Sequence, residues 1–213
     1  MWYRALQIFL PIIMPVFRFR VVGKEEVPNS EGVILAANHV SYVDPLFIGA
    51  ALAERQLHFM AKEELFRSPF FGALIRDLHA FPVRRGQVDH AAIRQCLRLL
   101  GEGESLLMFP EGTRGDGMAL QAAEEGIGFL AARSGCAVVP VYVQGTDNVL
   151  PRGKRIPRVR PVAVYFGSAL RLAPETTREA SRWGYRCLSE RVMKGIAELR
   201  ARAHSPGSYD ADV

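Results

Sequence analysis

One set of residues in this chain is suited to moving a proton. Asn38-His39 is followed five positions later by Asp44 and then Pro45. An imidazole accepts a proton near neutral pH, and a carboxylate against its second ring nitrogen fixes the tautomer and stabilises the charged form. The two side chains meet only if the backbone between them turns. In a continuous helix five steps leave them about 140° apart, and in a straight strand they point to opposite faces. A strand end, a loop and a helix start would fold Asp44 back onto His39. Read alone, the pair has a plainer account: a loop histidine and an aspartate that caps a helix, since Asp before Pro is an ordinary helix start. Ser41 lies between them, and Ser41-x-x-Asp44 reads as part of that helix start before it reads as a nucleophile.

Two further polar groups follow apolar runs. Phe109-Pro110-Glu111-Gly112-Thr113-Arg114 offers a glycine that permits close backbone approach, a hydroxyl, and a planar guanidinium suited to phosphate oxygens. A turn whose arginine pairs with a nearby acid accounts for the same residues equally well. Arg84-Arg85-Gly86 follows Ala80-Phe81-Pro82-Val83; adjacent arginines on an extended segment point apart, so at most one reaches the site of His39. A third basic group, Arg152, Lys154, Arg155, Arg158 and Arg160, is interleaved with prolines. A solvated loop is the simpler reading of it, and attraction to anionic headgroups or an acidic carrier protein is the functional one.

Several chemistries lack their residues. There is no Gly-x4-Gly-Lys-Ser/Thr phosphate loop and no Gly-x-Ser-x-Gly nucleophile elbow, and His and Cys spacing gives no metal site. Nucleic acid fits poorly, because the basic loop carries no stacking aromatics. Cys96, Cys136 and Cys187 are far apart and sit in apolar or helical patterns, as buried thiols of a reducing cytoplasm would.

The elements that must position these groups alternate. The chain has 213 residues, is 49% hydrophobic and 23% charged, and carries a net charge of +5. That suits one sizeable globular domain with anionic partners. Short apolar strands are expected at residues 17–21, 32–37, 57–61, 80–83, 105–109, 137–143 and 162–166. Helices are expected at 45–53, from Ser68-Pro69, at 89–100 and at 124–134. A long final helix is expected behind a Thr176/Glu179 capping box, with Leu188, Val192, Ile196 and Leu199 buried. Pro140 places its strand at an edge or a bulge. The helix after Ser68 has an unusually broad apolar face (Phe70, Phe71, Leu74, Ile75), read first as core and second as a surface for acyl chains. The pattern predicts a single α/β domain over residues 18–203. Its mixed sheet is largely buried and flanked by helices, and a flexible tail follows at 204–213. Residues 1–17 are expected to form an apolar helical segment, too short for a simple span and with few polar positions left to face water, that lies in a membrane interface.

Four of these stretches, taken in order, resemble the four blocks shared by the glycerolipid acyltransferases: Asn38-His39-x4-Asp44, Phe81-Pro82-Val83-Arg84-Arg85-Gly86, Phe109-Pro110-Glu111-Gly112-Thr113-Arg114 and Val138-Val139-Pro140-Val141. The branch most like it is that of the bacterial 1-acyl-sn-glycerol-3-phosphate acyltransferases, and the likeness runs from about Phe17 to Leu172. The resemblance implies that His39 is the general base for the acceptor hydroxyl and that Asp44 orients it. Arg85, Gly112, Thr113 and Arg114 would bind the acceptor's phosphate. Glu111 would order that loop or touch the glycerol, and Pro140 would shape the acyl or thioester site. The hydroxyl would attack the thioester directly, with no cofactor beyond the acyl-CoA or acyl-carrier protein that donates the chain. The implied product is phosphatidic acid from lysophosphatidic acid. The implied location is the cytoplasmic face of the cell membrane, peripheral or monotopic, on a surface of anionic lipids. Glu124-Glu125-Gly126 departs from the family pattern, which often carries a Lys or Arg there. Other acceptors (glycerol 3-phosphate, a lysophospholipid, a lyso-aminolipid) and a non-catalytic lipid-binding protein are the alternatives.

Overall fold

Val33-Ile34-Leu35-Ala36-Ala37 is apolar and buried at every position. A strand of that kind needs cover on both faces, and the fold supplies it. The computed structural model describes residues 14–29, 31–84, 86, 88–171 and 182–205. In chain order the elements are β1 (Arg20–Val22), β2 (Val33–Ala37), α1 (Asp44–Ala51), β3 (Leu57–Lys62), α2 (Pro69–Asp77), β4 (Ala80–Val83), α3 (His90–Gly101), β5 (Ser105–Met108), α4 (Gly126–Ser134), β6 (Ala137–Gln144), α5 (Thr146–Val149), β7 (Ala163–Phe166) and α6 (Arg182–Ala203). They build one α/β domain around a seven-stranded sheet of order β1-β7-β6-β2-β5-β3-β4. Strands β4, β3, β5, β2 and β6 run parallel; β7 is antiparallel to β6, and β1 is parallel to β7.

The side chains of β2 alternate between two cores. Val33, Leu35 and Ala37 pack with Phe47, Ile48 and Leu52 of α1 and its C-terminal end. Ile34 and Ala36 pack with Cys96 of α3, Ile127 of α4, and Leu188, Val192, Ile196 and Leu199 of α6. Helices α4 and α6 cross so closely that a Cβ on Gly128 would lie 2.0 Å from the Tyr185 carbonyl oxygen. The apolar stripe expected on α6 is therefore the one that is buried. Burial pushes the Cys96 thiol up to about 12, so that thiol is inert, whereas Cys136 and Cys187 are only half-buried.

Some expectations are corrected. The alternation in Phe17–Val21 is not one strand. Met14–Phe17 is a 3-10 turn, and Arg18 is left-handed (φ 44°), so extended pairing starts only at Arg20. Phe17 and Phe19 lie on one side because both pack on Phe47, with ring centroids 5.4 and 5.6 Å away. Pro140 does not put β6 at an edge: β6 is interior, between β2 and β7. The bulge half of that reading fits. Val138 bridges Leu170 and Val141 pairs with Phe166, so β7 and its extension carry one extra residue opposite Pro140, where the ladder needs no proline N–H. In α2, only Gly72 and Ile75 are buried, while Phe70 is 89% exposed, so the broad apolar face is not core at its N-terminal end. Residues 1–13, Arg85, the Thr176/Glu179 box and residues 206–213 lie outside the described residues.

At the N-terminal edge of the sheet four polar side chains share one site. Gln56 Nε2 lies 3.1 Å from His58 Nε2 and 3.2 Å from His79 Nδ1, and Glu104 stands 3.6 Å from His58. Burial holds both imidazoles below the usual histidine range, and for His58 the neighbouring His79 adds to the effect. The unfolded chain then binds these protons more readily than the folded one. Their stabilisation is present above the ordinary histidine pKa and is lost as the pH falls through it. The urea midpoint is expected to drop between pH 7 and pH 5. The drop should be smaller in a His58→Gln/His79→Asn variant, whose Asn tolerates the left-handed backbone at residue 79 (φ 63°). An equal drop in both proteins would place the acid sensitivity elsewhere.

Candidate active site

The buried carboxylate of Asp44 (0% exposed) gathers the turn after β2. Its Oδ2 accepts from the backbone N–H of Val40 at 2.8 Å and of Ser41 at 2.9 Å, and lies 2.7 Å from His39 Nδ1. Its Oδ1 accepts from the Thr146 hydroxyl at 2.5 Å. Asp44 is the first residue of α1, with Pro45 next, so the helix dipole also favours its negative charge. A carboxylate oxygen that already accepts two N–H groups meets a ring nitrogen as acceptor again. Nδ1 is therefore the donor, and Nε2 is left with its lone pair. No partner engages Nε2 among the described residues. The ring lies flat on Phe109, with centroids 3.9 Å apart and planes 18° apart.

Asn38 makes the backbone leave the sheet at the right point. Its amide donates to Val143 O at 3.0 Å and its oxygen accepts from Val143 N at 2.7 Å, so the side chain continues the ladder to β6 while the main chain turns away. The backbone of His39 is then clamped from the loop after β5: its N–H donates to Glu111 Oε1 at 3.1 Å, and its C=O accepts from Gly115 N at 2.8 Å. The other oxygen of Glu111 accepts from Gln121 N at 3.0 Å. Both oxygens are therefore engaged by backbone, a geometry suited to ordering the loop. The Ser41 hydroxyl donates to Leu150 O at 2.9 Å, and helix α1 takes Val43 as its N-cap, so Ser41 neither caps the helix nor faces the imidazole.

The expected anion-binding turn sits at the same edge. Gly112 is left-handed (φ 64°), as the reversal after β5 requires. Thr113 is exposed, and its hydroxyl lies 3.5 Å from Arg114 O. The Arg114 guanidinium stands 3.6 Å above the ring of Tyr42. Arg84 is turned away, with Nε 3.4 Å from Glu63 and its N–H donated to Asp89; Arg85 lies outside the described residues. The structure thus brings His39, Asp44, Glu111, Gly112, Thr113 and Arg114 to one edge. The roles of Asn38 and Thr146 do not emerge from sequence spacing: Thr146 is 102 positions from Asp44, and only the Gly145-Thr146 pair at the end of β6 hints at it.

An α/β sheet carries at its C-terminal edge a buried His–Asp pair and a guanidinium that has no carboxylate partner among the described residues, and comparison with known proteins gives the class. The family described as Acyltransferase matches residues 18–144, so this chain belongs to the acyltransferase family. It is similar to the 1-acyl-sn-glycerol-3-phosphate acyltransferase of Bacillus subtilis, 31% identical over 181 residues, which are 84% of this chain and 87% of that one. The lyso-ornithine lipid O-acyltransferase of Pseudomonas aeruginosa is 34% identical over 151 residues, 70% of this chain and 54% of that one. Among solved structures, that of the 1-acyl-sn-glycerophosphate (LPA) acyltransferase PlsC from Thermotoga maritima matches with a TM-score of 0.71. The identity there is 26%, over 94% of this chain and 80% of that chain.

Removing the hydroxyl that Thr146 gives to Asp44 leaves a buried carboxylate oxygen unsatisfied. Thr146→Val is expected to lower kcat by about tenfold with little change in KM, whereas Thr146→Ser, which keeps the donor, stays near wild type. Steady-state acyl transfer by the purified variants measures this; equal activity for Val and Ser would remove Thr146 from the account.

Proposed function

We propose that this enzyme transfers a fatty acyl group from an acyl thioester to the free hydroxyl of 1-acyl-sn-glycerol 3-phosphate, giving phosphatidic acid. The observation that carries the reading is a buried His39–Asp44 pair on the edge that also presents Arg114, with neither Nε2 nor the guanidinium engaged by a carboxylate among the described residues. Nε2 takes the hydroxyl proton as the oxygen attacks the thioester carbonyl. Asp44 stabilises the imidazolium that forms. The tetrahedral species collapses with loss of the thiolate, which receives the proton from Nε2. Ester and free thiol are the products, and no acyl-enzyme is needed. Arg114, with the Gly112–Thr113 turn and Arg85, holds the acceptor's phosphate. The names of the Bacillus and Thermotoga relatives support that acceptor.

The surface supports a reading of where the enzyme works. Tyr42, Phe70, Phe71, Val88, Met118, Ile156 and Val159 are exposed, and all belong to segments that follow the C-terminal ends of the parallel strands, on the edge that holds His39. Arg152, Lys154, Arg155, Arg158 and Arg160 are exposed around Ile156 and Val159. Apolar tips among cations suit the interface of an anionic bilayer, with the site facing its lipid substrate. Among the described residues no helix is long and apolar enough to cross a membrane. That arrangement fits a peripheral or monotopic enzyme on the cytoplasmic face, reached by an acyl-CoA or acyl-carrier protein donor.

A second acceptor class is favoured by one contact. The Glu124 side chain packs on Gly112, its Cγ 3.2 Å from where a Cβ would lie. A carboxylate beside the anion-binding turn suits a headgroup that also carries an ammonium, as a lyso-aminolipid does.

His39→Ala is expected to abolish transfer while leaving the melting temperature near wild type; full activity would end the mechanism. A panel of acceptors should show lysophosphatidic acid preferred over monoacylglycerol. Preference for an uncharged acceptor would contradict the role of Arg114. On vesicles containing anionic lipid, Phe70→Glu/Ile156→Glu should bind less than the parent protein, and unchanged flotation would move the contact to another surface.

A further inference from the structure

In the turn between His39 and Asp44 one side chain is exposed, Tyr42, with Val40 and Val43 half-buried on either side of it. Asn38, Ser41 and Asp44 are buried, and His39 is 9% exposed, yet Tyr42 is 55% exposed. No turn geometry requires a large ring there. What the ring does is carry Arg114: the guanidinium carbon lies 3.6 Å from the ring centroid, close stacking distance. Among the described residues Arg114 has no carboxylate partner, although Asp and Glu are plentiful on the surface. A guanidinium lying on an aromatic face keeps its in-plane N–H groups free for a planar or tetrahedral anion, and loses much of the rotamer freedom that binding would otherwise remove.

We infer that Tyr42 is a positioning residue: its ring is the platform that holds the Arg114 guanidinium ready for the acceptor's phosphate. Tyr42 sits two residues before Asp44 on the turn that carries the base, whereas Arg114 comes from the separate loop after β5. The stack therefore sets the spacing between the group that binds the phosphate and the group that deprotonates the hydroxyl. The platform acts on acceptor binding and leaves the proton transfer to His39. This inference rests on the phosphate role assigned to Arg114, and the experiment separates the two.

Acyl transfer is measured with the purified full chain, using lysophosphatidic acid and, as an acceptor lacking phosphate, monoacylglycerol. The variants are Arg114→Ala, Tyr42→Leu and Tyr42→Trp. Arg114→Ala should raise the KM for lysophosphatidic acid and leave that for monoacylglycerol unchanged. Tyr42→Leu keeps bulk but removes the π face. It should raise the same KM by about fivefold with kcat within about twofold, and Tyr42→Trp should restore it. If Arg114→Ala raises the KM and Tyr42→Leu does not, the platform is refuted while the phosphate site stands. If Tyr42→Leu lowers kcat on both acceptors at unchanged KM, the ring supports the turn and not the guanidinium, and the inference fails. If Arg114→Ala leaves the KM for lysophosphatidic acid unmoved, the phosphate reading fails and takes the platform with it.

Discussion

The structure depends on one buried carboxylate. Asp44 is fully enclosed, and an isolated charge there would cost several kcal/mol or more. It is met by four donors: the N–H groups of Val40 and Ser41, the ring of His39 and the hydroxyl of Thr146. Two of the four are backbone groups of the turn that carries the base, so the same ion closes the turn and aims the imidazole. The fourth comes from the end of β6, and ties the turn to the strand next to β2. Breaking such a set by removing one member costs more than any exposed ion pair on this surface, because a buried group is left unpartnered.

The sheet order makes that set possible. Strand β2 lies between β5 and β6, so the loops leaving all three emerge side by side. The loop after β5 supplies Glu111 and Gly115, which clamp the backbone of His39, and Arg114, which stands over Tyr42. The loop after β6 supplies Thr146, and Leu150 for the hydroxyl of Ser41. Residues far apart in sequence converge because parallel strands deliver every such loop to the same edge.

Much of this was legible beforehand, for identifiable reasons. Val33–Ala37 announces a strand covered on both faces because none of its positions is polar. The stripe of Leu188, Val192, Ile196 and Leu199 announces the helix that covers one of them. His39 and Asp44 stand out because only a turn between strand and helix brings that spacing together. Long-range polar contacts were not legible. Thr146 and Asn38 act through partners about a hundred positions away, and no local pattern records that. Pro140 misled in part, since an interior strand accommodates it where the neighbouring strand bulges. Phe70 misled because periodicity reports an apolar face without reporting which part of it is covered.

The central claim is that the Asp44 carboxylate holds His39 as the base. The most direct measurement is kcat for Asp44→Asn with the fold monitored by its melting temperature. Asn keeps the shape and the acceptor for the backbone N–H groups, but loses the charge that fixes Nδ1–H and stabilises the imidazolium. Asp44→Asn is expected to stay folded while its kcat for acyl transfer falls by a factor on the order of 10²–10⁴. A folded Asp44→Asn enzyme with kcat within a few-fold of the parent would contradict that claim.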